Sequence, residues 1–215
     1  MKKLIALLLC LVICLSFAGC QKPETQGEKP TKQTEKPAEP TENPREALEK
    51  VLNKEANFTY KCLVFGKVTE ENLEKFRFNT EGAALNPFRP VAYSYVDFDS
   101  DGVEELLVSD TMLHFYLILR YDNGKVNGYI LERLSAQNIK IDGSFVISWH
   151  KGPESVNRIQ FDGLECKLTE LACKDDTENT YALNGKIATK AEAESYIADW
   201  KSSGAQIIWT TIKQE

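Results

Sequence analysis

Apolar positions recur along this chain with two periods, and the change of period marks its elements. In "NPREALEKVLNKEANF", Leu48, Val51 and Leu52 share one face at helical spacing. Asn43 fits an N-cap and Pro44 the first helical position, where a backbone N–H has no partner to lose. "TYKCLVFGKV" alternates with period two and predicts a strand, and "TEENLEKFRF" predicts a second short helix beginning at Thr69. The pairs Asn86-Pro87 and Arg89-Pro90 interrupt the chain before residue 91, since the residue before proline avoids the helical region.

From there, turn signals come at nearly constant spacing. The glycines of "SDG", "DNG", "IDG", "FDG" and "LNG" stand at 102, 124, 143, 163 and 185, intervals of 19 to 22 residues that each accommodate two strands and two turns. Asn-Gly and Asp-Gly supply the positive φ angles of tight hairpins. A turn at Asn123-Gly124 sets Tyr121 beside Val126 and Leu117 beside Ile130. One at Asp162-Gly163 sets Phe161 beside Leu164 and Ile159 beside Cys166. Each hairpin then presents one apolar face. Near the end, "TKAEAESYIADWKSSG" carries a capping box in Thr189 and Glu192, an apolar face of Ile197 and Trp200, and Gly204 as terminator, before a final strand "AQIIWTTI". The expected fold is α+β, a twisted antiparallel β-meander of about six to eight strands with N-terminal and C-terminal helices packed on it. A closed meander barrel with a ligand cavity is the alternative.

The N-terminus changes the picture from fold to location. Lys2 and Lys3 precede the apolar stretch Leu4–Gly19, which is shorter than the about 20 residues a spanning helix needs. It reads as an export signal. The signal ends in "FAGC", which resembles the lipobox of bacterial lipoproteins, with Phe17 where that motif usually has Leu. The resemblance implies cleavage after residue 19, lipidation of Cys20, and an extracytoplasmic position on the bacterial cell membrane. Residues 21–43 hold four prolines, four lysines and five glutamates without a large apolar side chain. Such a segment cannot offset its ordering entropy by burial, so it predicts a disordered tether, extended at about 3.1 Å per residue where polyproline-like. Residues 44–215 then form one globular domain.

Charge and cysteines exclude more than they assign. The chain carries 26 basic and 32 acidic residues; without the two lysines of the signal and the charged residues of the tether, the domain has 20 against 27. No basic cluster exists to engage phosphates, which argues against nucleic acid as a partner. Of six cysteines, Cys10 and Cys14 lie in the signal and Cys20 at its end. Cys62, Cys166 and Cys173 remain, with neither CxxC spacing nor a nearby histidine, so neither a disulfide framework nor a zinc site is indicated. On one strand Cys166 and Cys173 would lie about 23 Å apart, leaving Cys62 as the only partner for either. Cys166 alternates with Leu164 and Leu168, as a small buried group does.

Enzyme signatures are scarce. GxSxG, HExxH, P-loop and dinucleotide motifs are all missing. His114 and His150 fall on or beside strands. The adjacent pairs Glu104/Glu105 and Asp175/Asp176 are candidates for acid–base work, but neighbouring acids on a strand point to opposite faces. The specific signal is "DFDSDGVEE". Hard cations such as Ca²⁺ take six to eight oxygens at about 2.3–2.6 Å. Alternate Asp97, Asp99 and Asp101 converge in a tight loop, Gly102 permits the turn, and the Val103 carbonyl and Glu105 carboxylate complete the shell. The competing reading is a solvated turn whose aspartates bond their own backbone.

The first six loop positions resemble an EF-hand, but Val108 stands where that family has its bidentate glutamate. The nine-position version ending at Glu105 is similar to the Ca²⁺ loops of integrin-type propellers, which repeat the motif, whereas this chain has it once. Lipobox, spacer, "DFDSDGVEELLV", hairpins and the closing helix and strand together resemble uncharacterised lipoproteins of Firmicutes, a resemblance covering most of residues 91–212 and implying no activity. The expected function is a lipid-anchored, non-catalytic binding or interaction module with a structural Ca²⁺ loop. Its partner is an envelope polymer, another protein or a small ligand, with Trp149, Trp209, Tyr116 and Tyr129 as candidate contacts. The alternatives are a cell-envelope hydrolase using acidic residues and a barrel around an apolar ligand.

Overall fold

In the computed structural model the described residues are 42–61, 66–78, 86–111, 115–132, 136–148 and 152–213. They are mostly β, with two helices and two largely antiparallel sheets. Helix α1 (Pro44–Leu52) begins where the proline is tolerated, with Asn43 Oδ1 accepting from Arg45 N at 2.9 Å. Helix α2 (Lys190–Ser202) has the reciprocal Thr189/Glu192 capping box, and Gly204 takes φ +75° just past its end.

The first sheet runs β15 (Thr210–Thr211), β5 (Pro90–Val96), β6 (Glu105–Asp110), β7 (Phe115–Asp122), β8 (Lys125–Glu132), β1 (Asn57–Lys61) and β2 (Val68–Asn72). All its pairings are antiparallel except β1 with β8. Where those two meet, Gly128 lies against the Phe58 ring so closely that a Cβ there would fall 2.5 Å from Cδ2. The second sheet runs β14 (Lys186–Ile187), β13 (Thr180–Leu183), β12 (Glu165–Asp175), β11 (Glu154–Asp162), β10 (Phe145–Ser148) and β9 (Ala136–Gln137). A two-stranded piece, β3 (Arg77–Phe78) with β4 (Asn86–Pro87), stands apart. No closed barrel forms among the described residues, which overturns the barrel alternative.

The core explains why "ELLVSD" is an unbroken buried run. Leu106 and Val108, with Leu117 and Leu119, face α1 through Leu48 and Val51. Leu107 and Ile118 face the other way, onto Phe145 and Ile159 of the second sheet. A strand covered on both faces has no polar side to alternate with. Beyond the second sheet, Val146, Val156 and Ala172 pack on Ile197 and Trp200 of α2. Lys140 then places its buried ammonium on the Trp200 and Ser203 carbonyls at the negative end of α2.

Two sequence expectations fail for physical reasons. The helix expected from Thr69 is strand β2, paired antiparallel with β1 from Asn57↔Asn72 to Lys61↔Val68. Leu73 and Phe76 imitate helical spacing because both are fully buried in the turn that follows. Asn72 makes that turn, accepting from Glu74 N and donating to the Lys54 and Ala56 carbonyls. The register at Gly163 also differs. Phe161 pairs with Cys166 and Ile159 with Leu168, because the two-residue loop is Gly163–Leu164 and Asp162 stays in the strand opposite Glu165. Glycine at the first loop position, with φ +60°, suits a type II′ turn. At Asn123-Gly124 the expected pairs Tyr121↔Val126 and Leu117↔Ile130 are present.

Candidate metal-binding loop

The loop joins β5 to β6 and lies where the two sheets meet. Phe98 anchors it, fully buried in the cluster shared by both sheets. Its backbone rests on Gly143 of the β9–β10 connection: at φ +72°, a Cβ on that residue would fall 2.4 Å from Phe98 Cα and 2.8 Å from the Asp97 carbonyl oxygen. Only glycine fits there. Within the loop, Ser100 and Gly102 take φ +62° and +87°, the tight curvature that turns alternate side chains to one side.

Asp97 accepts from Asp101 N at 3.1 Å through Oδ1 and from Gly102 N at 3.1 Å through Oδ2. Asp99 Oδ1 accepts from Asp101 N at 3.3 Å, and Asp101 Oδ1 from Val103 N at 2.8 Å. These are the self-bonded turns of the competing reading, so the backbone bonding and the acidic convergence coexist. Asp97, Asp99 and Glu105 bring carboxylate oxygens within 4.8 Å of one another, a group that could hold a metal ion. Asp101 lies outside that group. Val103 enters through its N–H, and its side chain is 36% exposed.

Glu105 is the unusual member. As the first residue of β6 it points inward and is 0% exposed, while its neighbour Glu104 points outward to Arg45 at 3.1 Å. Glu105 Oε2 accepts from Phe98 N at 2.9 Å. Its Oε1 is buried without a hydrogen bond, although Arg120 Nε lies 3.3 Å away. That approach satisfies distance for an ion pair but not the alignment of a hydrogen bond. Burial pushes the Glu105 carboxyl up to about 8, with the Phe98 N–H opposing and the Asp99 charge adding to the rise. Asp99 is also raised by burial, against the pull of Arg120.

Arg120, on β7, completes the arrangement and went unrecognised in the sequence. Its Nη2 lies 3.1 Å from Asp99 Oδ2 and 2.8 Å from Asp101 Oδ2. Burial works against its charge, but the carboxylates of Asp101, Asp99 and Glu105 outweigh it and hold the guanidinium protonated. The converse does not hold for Asp99 and Glu105, because one guanidinium is shared among three carboxylates. Its signal was a single charged residue inside the apolar run "FYLILRY".

Other sequence candidates fall elsewhere. Cys20, the apolar stretch and the tether through residue 41 lie outside the described residues, as do Cys62, His114, Trp149 and His150, while Asn43 at the tether's end caps α1. Cys166 and Cys173 are free thiols on β12, both raised by burial, Cys173 to about 11. Tyr116 and Tyr129 are core residues, Tyr129 donating to the Gly163 carbonyl at 2.5 Å. Trp209 is partly exposed and stacks on Tyr116 at 5.7 Å. No helix among the described residues is long and apolar enough to cross a membrane. Neither a protein-family model, a curated protein nor a solved structure matches the chain.

Proposed function

We propose that this chain is a lipid-anchored, extracytoplasmic binding or interaction module whose Asp97–Glu105 loop takes Ca²⁺ as a structural ion. The observation that carries the ion is Glu105, whose buried Oε1 lacks a hydrogen bond and whose carboxylate belongs to a group with Asp97 and Asp99 within 4.8 Å. Ionising this buried carboxyl is costly, as its rise to about 8 beside Arg120 shows, and a divalent ion would favour the charged form. The donors are all oxygen, and the loop offers irregular geometry with backbone groups nearby. Ca²⁺ accepts such a shell, whereas Mg²⁺ demands a near-ideal octahedron. In this reading the hairpin-built sheets and the two helices are the frame, and the ion fixes the β5–β6 turn where the sheets meet.

The location rests on "FAGC" and the tether. An extracytoplasmic site meets plentiful Ca²⁺, so a Kd of about 10⁻⁴–10⁻³ M suffices. The hydrolase reading has less support. Glu105 is fully buried, and in the cleft beside α2, Glu154 and Glu194 are each held by a lysine, Lys201 at 2.6 Å and Lys174 at 2.9 Å. The test is thermal melting with chelator, Mg²⁺ and Ca²⁺. At a hundredfold excess over Kd, Ca²⁺ stabilises by about 2.7 kcal/mol, a rise of about 5–10 °C for a domain of this size. Mg²⁺ should do less, and Asp99→Ala should remove the effect. One melting curve under all three conditions sinks the ion. Separately, Cys20→Ser should move the protein from the membrane to the soluble fraction, and a variant that stays with the membrane contradicts the anchor.

A further inference from the structure

We infer that Arg120 is the loop's resident counter-cation: it holds the carboxylates in place without metal and must give up Asp99 and Glu105 when a divalent ion enters. The inference rests on the calcium reading and names the residue that sets the affinity of the site.

Asp97, Asp99, Asp101 and Glu105 crowd one loop, and Arg120 is the cation set among them. Its contacts divide the cluster in two. Asp99 Oδ2 and Glu105 Oε1 belong to residues that also form the three-carboxylate group, whereas Asp101 does not. Oxygens within 4.8 Å of one another suit a shared cation, since two ligands at about 2.5 Å on opposite sides of an ion stand about 5 Å apart. A divalent ion there and a guanidinium at 3.1 and 3.3 Å from the same two side chains would place like charges in near contact, in a partly buried site where screening is weak. One of them must withdraw.

The structure supplies Arg120 with a place to withdraw to. Asp101 Oδ2, at 2.8 Å, lies outside the group and can keep its bond. On the other side, Arg120 Cζ lies 4.9 Å from the centroid of the Phe161 ring, which packs on Tyr129 at 4.7 Å. Phe161 belongs to β11, so the released guanidinium remains clamped between the loop and the second sheet by a cation–π contact and one ion pair. The affinity for the metal is therefore lowered by the contacts Arg120 loses, a built-in competition that places the site in a weak range.

The test is a calorimetric Ca²⁺ titration of the full chain as parent, Arg120→Gln and Arg120→Lys. Removing the competing charge should tighten Ca²⁺ binding about tenfold in Arg120→Gln, the ratio expected if the surrendered contacts amount to one ordinary charged hydrogen bond. Arg120→Lys keeps the charge but loses the fork, and should fall between the two. Without metal, Arg120→Gln should also melt below the parent. Equal or weaker binding by Arg120→Gln, with binding by the parent, overturns the counter-cation and leaves the calcium loop standing. Binding by Arg120→Gln alone supports the counter-cation and removes Ca²⁺ from the natural chain. No binding by any of the three overturns both. Should Arg120→Gln not fold, Arg120→Lys decides: tighter than the parent supports the competition, equal or weaker ends it.

Discussion

Two turns of this chain contain the same Phe-Asp pair and become different structures. "DFDSDGVEE" joins β5 to β6, and "FDGLE" joins β11 to β12. In the first, Phe98 is fully buried and the second glutamate after the glycine, Glu105, turns inward to meet two aspartates. In the second, Phe161 is only partly buried, and Asp162 and Glu165 face solvent, each paired with a lysine, Lys167 and Lys61. Composition decides the turn in both. What separates them is the neighbouring sheet: it buries Phe98 and Glu105 of the first turn, so Glu105 is cut off from water, whereas Asp162 and Glu165 of the second are not.

The comparison breaks most sharply at the two phenylalanines. Phe98→Ala removes a fully buried ring and should cost about 3–5 kcal/mol in denaturant unfolding, whereas Phe161→Ala should cost clearly less. Equal losses would mean that the first turn is no better anchored than the second.

A pH series separates the same regions by sign. Glu105 has its carboxyl raised by burial to about 8 when folded, against an ordinary value of 4.5. Its contribution is therefore fully present below the unfolded pKa and is lost as pH rises through the folded one. In chelator, stability should fall between pH 5 and 8 on the order of 3 kcal/mol, and Glu105→Gln, which can still accept from Phe98 N, should flatten the slope. Asp162 and Glu165 are lowered by their lysines, so their contribution is lost only in acid, below that window. A parent and a Glu105→Gln variant with parallel profiles would contradict the buried carboxyl.

Two Asp-Gly glycines give a smaller contrast. Gly143→Ala meets the Phe98 backbone and should cost about 2–3 kcal/mol, while Gly163→Ala meets nothing within 4 Å and should cost only the about 1 kcal/mol of a left-handed alanine. Urea midpoints compare them directly. Least of all, Lys167→Ala should leave the urea midpoint essentially unmoved, since its ion pair with Asp162 is exposed.

Much of the frame was legible in local chemistry. Asn43, Pro44, Thr189, Glu192 and Gly204 act through neighbours in sequence, and the caps stand where they were expected. The five turn glycines all take positive φ for the same reason. Long-range effects were hidden. Leu73 and Phe76 carry helical spacing, yet the chain there is a strand and turn because β1 pairs with it. "ELLVSD" is buried on both faces, but the residues that cover each face come from distant segments, so the division into two sheets could not be read from it. At the candidate site, the aspartates announced themselves by spacing. The burial of Glu105 and the reach of Arg120 did not, since both follow from which strands become neighbours.

The most direct measurement is a crystal structure of the protein grown in millimolar Ca²⁺, read by anomalous scattering. The account predicts a peak bounded by carboxylate oxygens of Asp97, Asp99 and Glu105 at about 2.3–2.6 Å, with Arg120 withdrawn onto Asp101 and the Phe161 ring. No peak, with Arg120 still resting on Asp99 and Glu105, would contradict it and leave the loop a polar turn neutralised by its own arginine.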